Sequence, residues 1–216
     1  MSLRPNIIGI RRKKMLSFVG CKDEDVLKGL LTDLNENYGG EDKENGEGEA
    51  KSADDMKIAA EFLRKVVMEG TPTGLETETL GHVLAVSTLA RFRQDNLVET
   101  DSNVWKMRGV TDFTEQFSKK LDPTTTQYLQ YLCNGRPLFG KKIKTDWNYY
   151  AYLGYAELDH FRDAIELAYN HAAELEQKGK LNEIDFETWT LDMMEALMEW
   201  CDPVLDEKLD LWMDVY

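Results

Sequence analysis

Long apolar runs are missing from this sequence: none approaches the ~20 residues that a membrane-spanning helix requires. Cysteine is scarce. Cys21, Cys133 and Cys201 are odd in number, far apart and never arranged as C-x-x-C. That excludes a disulfide framework or a structural zinc and points to a reducing, cytoplasmic setting. No G-x-S-x-G occurs, so nothing marks a hydrolase nucleophile elbow. Basic residues fall well short of acidic ones, with a net charge of -14. An anionic surface of that size repels nucleic acid and anionic membranes, and speeds association with basic partners.

The charge is uneven. Arg4, Arg11, Arg12, Lys13, Lys14 and Lys22 precede the first acid, Asp23. From Glu183 onward there are eleven acids and one base, Lys208. The basic start followed by "MLSFVGC" has the outline of a lipoprotein signal, but its apolar segment is shorter than the ~7–15 residues such signals need. "NIIGI" also lies ahead of the basic cluster, where a signal has no use for it.

The apolar pattern predicts an α+β domain over residues 1–216, with about six helices on a small sheet drawn from the chain's start, middle and end. "NIIGI" reads as a buried strand. Asp23, Glu24 and Asp25 suit the positive end of a helix carrying Val26, Leu27, Leu30, Leu31 and Leu34 as one stripe. "GGEDKENGEGEAK", residues 39–51, has four glycines, five acids and no aromatic or branched aliphatic residue. It lacks the apolar surface to offset ordering entropy and reads as a flexible acidic loop. Ser52 and Asp55 are spaced as a capping box for the next helix, and another covers "ETLGHVLAVSTLARFR". A short helix is expected near Phe113 to Ser118. Asp122, Pro123 and Gly135 punctuate a further one.

"DWNYYAYLGYAELDHF" is the most provocative stretch. A helix through it would carry Gly154 at a cost of about 1 kcal/mol, whereas its aromatics suit a strand. Tyr149, Ala151 and Leu153 then fall on one face, with Tyr150 and Tyr152 on the other, as in a strand covered on both sides. A helix follows from about Ala156 to Gln177, then one ending near Pro203, then an edge-like strand in which Leu209, Leu211, Met213 and Val215 alternate with Asp210 and Asp214. Trp212 breaks that alternation.

Glu157 and His160 form E-x-x-H, a spacing used in di-iron bundles, but such sites need two pairs and further glutamates, and one pair exists here. His160 lies about 120° from the centre of its helix's apolar stripe, and His171 is about 16 Å further along. No metal and no cofactor is expected. "GRPLFGKK" fits G-x-x-x-x-G-K, then places Lys142 where a phosphate loop needs Ser or Thr. It reads as a basic turn, with Arg136, Lys141 and Lys142 as anion-binding candidates. Should a small-ligand or hydrolase site exist, its residues are Tyr152, Tyr155, Glu157 and His160 at the strand-to-helix turn, 149–160. No catalytic residue is assigned.

"NIIGI", "SFVGCKDEDVL", "YLQYLCNGRPLFG" and "YYAYLGYAELDHF" resemble segments of a group of bacterial proteins of unknown function. In these an opening strand leads to a G-x-x-D-E helix start, and a later G-Y-x-x strand feeds a helix. Some such families are suspected of acting as immunity partners in bacterial conflict systems. The resemblance implies a similar role and brings no catalytic residues. The expected function is therefore a non-enzymatic, cytoplasmic protein-interaction module whose acidic surface engages a basic protein.

Overall fold

The computed structural model describes residues 5–39, 52–70, 79–95, 97–100, 114–115, 121–139, 149–184 and 186–215. Most of the 39–51 loop, all but two residues of the 113–118 helix, Lys141 and Lys142 lie outside them.

Four strands, β1 (Asn6–Ile10), β2 (Val98–Glu99), β3 (Tyr149–Leu153) and β4 (Asp210–Val215), form one sheet in the order β2-β1-β4-β3. Every neighbouring pair is antiparallel. Seven α-helices are described: α1 (Arg12–Ser17), α2 (Glu24–Tyr38), α3 (Ala53–Glu69), α4 (Leu80–Arg91), α5 (Pro123–Asn134), α6 (Tyr155–Gln177) and α7 (Thr188–Asp206). A 3-10 turn, Leu181–Ile184, links the last two. The α+β class holds, and the sheet gains a short strand that "NLVET" was too brief to announce.

Helices cover both sheet faces. Ile8, Ile10, Tyr150, Tyr152 and Trp212 point into a core shared with α1 to α4. Ile7, Tyr149, Ala151, Leu153, Leu211, Met213 and Val215 point into a second core built with α5 to α7. Alternate residues of a strand face opposite ways, so the all-apolar "YYAYL" is what two such cores demand. The helix starts follow the sequence: the Asp23 carboxylate accepts from the Asp25 and Val26 amides, Ser52 Oγ from the Asp55 amide, and Asp122 from the Thr124 and Thr125 amides.

Two expectations are corrected. β4 is not edge-like but central, paired with β1 on one side and β3 on the other. Trp212 breaks the alternation because both faces of this strand are buried. The last helix does not stop at Pro203 but runs three residues past it. Pro203 is exposed, so the carbonyl that loses its amide partner can turn to water. Val204 behind it is fully buried, and together with Leu209 it crowds Gly9 of β1, where an added Cβ would lie 3.0 Å from Leu209 Cδ1 and 3.3 Å from Val204 Cγ1.

Candidate functional site

At one end of the sheet Ile10 pairs with Asp210, which is followed by Leu211 opposite Leu153. Both β1 and β3 run directly from there into helices. The two helix starts converge on one carboxylate: Asp210 Oδ2 accepts from the Arg12 amide at 3.1 Å, and Oδ1 from the Tyr155 amide at 2.9 Å. Each first helical turn leaves unpaired amides carrying partial positive charge, which an aspartate at this position satisfies.

Arg136 reaches the same end from beyond α5. Gly135 adopts φ +77, and a Cβ on it would meet the Tyr150 carbonyl at 3.0 Å, so the close approach to β3 needs glycine there. The Arg136 amide donates to that carbonyl at 3.2 Å. Its guanidinium donates to the Tyr152 carbonyl at 3.1 Å and to both Glu157 oxygens, at 2.5 and 2.8 Å. It also lies 4.5 Å from the ring centres of Tyr131 and Tyr152, and Arg12 lies 4.8 Å from the latter. Glu157 accepts a further bond from the Gly154 amide at 2.8 Å. Burial works against the Glu157 charge, but Arg136, the Gly154 amide and Arg12 together outweigh it, holding the carboxyl below its ordinary range. The group is ionised at neutral pH with both oxygens engaged. Its chemistry is that of a clamp joining α5, β3 and α6, and a proton acceptor is not available in it.

The structure therefore brings Tyr152, Glu157 and Arg136 together. Tyr152 is buried, with its hydroxyl donating to the Pro137 carbonyl at 2.9 Å. Tyr155 and His160 are not drawn into that cluster: both side chains are exposed, and His160 lies edge-on to Tyr128 at 6.0 Å. Cys133 is buried 3.0 Å from the Thr114 hydroxyl, and burial pushes the Cys201 thiol up. Among the described residues no group of three or more His, Cys, Asp or Glu could hold a metal ion.

Asp214, expected among the polar positions of an edge-like strand, is instead sealed inside the protein. It is 1% exposed, opposite Asn6 and Tyr150 in the sheet. Trp212 Nε1 donates to Oδ1 at 3.0 Å, Asn6 Nδ2 to Oδ2 at 3.4 Å, and Arg91 of α4 stands 3.5 Å away. Burial pushes this carboxyl up against the opposing pull of Arg91, Trp212 and Asn6. A lone acid within an otherwise apolar run, two residues after a tryptophan, was the available signal.

Two surface clefts lie elsewhere. One, of about 670 Å³ between α2 and α3, has Leu27, Leu31 and Met68 among its lining, with Lys28 and Arg64 also on it. The other, of about 570 Å³, lies at the turn between α6 and α7. The region of α6 and α7 is also strongly acidic. Between Tyr155 and Glu207 there are fifteen acids and three bases. Arg162 takes Glu166 and Asp202, Lys178 takes Glu174, and Lys180 takes Glu183. Asp159, Asp163, Asp192 and Glu199 are exposed and have no ion pair among the described residues. Among the described residues no helix is long and apolar enough to cross a membrane.

Compared with known protein families, curated proteins and solved structures, the chain finds no match in any of the three.

Proposed function

We propose that this protein is a non-enzymatic interaction module that engages a basic protein through the acidic surface of α6 and α7. The observation that carries the reading is the excess of eleven acids over one base, Arg162, on those two helices, with several carboxylates exposed and in no ion pair among the described residues. Uncompensated charge on a rigid helical scaffold costs self-repulsion, and a cationic partner relieves it. The reading includes a cytoplasmic setting, supported by three free cysteines, two of them buried. It also includes the immunity-type role that the sequence resemblance implies.

The other reading, a small-ligand or hydrolase site at 149–160, draws on the closeness of Tyr152, Arg136 and Glu157. It has less support, because Arg136 occupies both Glu157 oxygens.

Calorimetric titration with decalysine tests the main reading. Binding at low ionic strength should weaken at least tenfold at physiological salt, where screening shortens to about 8 Å. Absence of binding at low salt would overturn it.

A further inference from the structure

We infer that the cleft at the turn between α6 and α7 receives an arginine side chain of the basic partner, a proposal that rests on the acidic-surface reading and gives it an anchor point. The cleft is lined by Glu176, Gly179, Leu181, Phe186, Glu187 and Trp189, among others. It combines carboxylates with aromatic surface, and among the described residues no lysine or arginine lines it. The exposed lysines flanking Gly179 each face another carboxylate, Lys178 with Glu174 at 3.8 Å and Lys180 with Glu183 at 2.9 Å.

The lining is built to hold its shape. The Glu187 amide donates to Thr190 Oγ1 at 3.2 Å, and Glu187 Oε2 accepts from Trp189 Nε1 at 3.0 Å. Glu176 has no ion pair among the described residues. Gly179, at φ +66, is exposed and has nothing within 4 Å of where a Cβ would stand.

Each part matches a part of arginine. The planar guanidinium stacks on an indole face and pairs with carboxylates through fixed N–H groups, which a lysine ammonium cannot do at once. Leu181, half-buried against the core, offers apolar surface to its methylene stem. Carboxylates on the wall exclude phosphate and other anions by repulsion.

The probe is N-acetyl-arginine amide, titrated into the 15N-labelled full chain while the Trp189 indole N–H resonance is followed. A saturable shift is expected, with a dissociation constant on the order of 1 mM. Glu176→Gln, a change at an exposed position, should weaken it about fivefold. N-acetyl-norleucine amide should produce no shift. A flat Trp189 response, or one unchanged by Glu176→Gln or equalled by the norleucine probe, overturns the cleft. If decalysine still binds in a salt-dependent way in that case, the acidic-surface reading stands and the anchor point alone is lost. Loss of decalysine binding removes the broader reading itself.

Discussion

Arg136 and Glu157 meet as two parallel pairs of atoms, Nη1 with Oε2 at 2.5 Å and Nη2 with Oε1 at 2.8 Å, across twenty-one residues of sequence. The arginine is the more buried partner, with 17% of its side chain exposed against 30% for the glutamate. Bidentate geometry with partial burial places this pair above an ordinary surface ion pair. A double-mutant cycle of Arg136→Ala and Glu157→Gln should yield a coupling of about 1–3 kcal/mol in urea denaturation. Arg136→Lys should recover only a minor part, since an ammonium offers neither the fork nor the stacking on Tyr131 and Tyr152. A coupling indistinguishable from zero would mean the clamp is ornamental.

Asp210 should be sensitive to deletion and tolerant of an isostere. Asp210→Ala leaves the first amides of α1 and α6 without their acceptor and should cost about 2 kcal/mol. Asp210→Asn keeps one acceptor oxygen and should cost less. Thermal unfolding of the two variants side by side decides it, and equal losses would show that the carboxylate's two bonds are not what matters.

Acid and neutral pH pull two carboxylates in opposite directions. Glu157, depressed in the folded state, stabilises above its unfolded pKa, and that contribution disappears as pH falls through the folded value. Asp214 is raised, so the folded protein holds its proton more tightly than the unfolded chain does. Its contribution is favourable at acid pH and is lost as pH rises from the ordinary carboxylate range to the raised value. Asp214→Asn should therefore gain stability relative to wild type between about pH 4 and pH 7. Urea midpoints at both pH values measure this, and a constant difference would contradict it.

Gly9→Ala should destabilise by about 1–3 kcal/mol, because the new methyl would press on Leu209 and Val204 from within a closely packed core. The expected signature in urea is a lower midpoint at an unchanged slope. A neutral outcome would mean the elbow between α7 and β4 yields easily.

Much of this architecture was legible because it is written locally. Asp23, Ser52 and Asp122 cap helices within three residues of themselves, and "YYAYL" declares two buried faces with no reference to its neighbours. What could not be read depends on partners far away in sequence. The alternation of Asp210 and Asp214 with apolar residues resembles a half-exposed strand. In fact Asp210 spends its charge on two helix starts, and Asp214 is sealed beneath Arg91 of α4. Of the residues at the 149–160 turn, Glu157 and Tyr152 meet Arg136, while the helical spacing that sets His160 beside Glu157 in sequence leaves its side chain in solvent.

The placement of β4 between β1 and β3 also has a consequence in time. Asn6 must wait for Asp214, 208 residues further along, before its row of the sheet exists. During synthesis α1 to α4 and later α5 to α7 can collapse locally, but neither half owns a complete sheet to rest on. Until the β4 segment emerges, two apolar surfaces and two unpaired strand edges face the cell together, the condition under which nascent chains stick to one another. Closing so long a loop is slow rather than costly at equilibrium, so the vulnerability of this fold lies in its birth more than in its finished state.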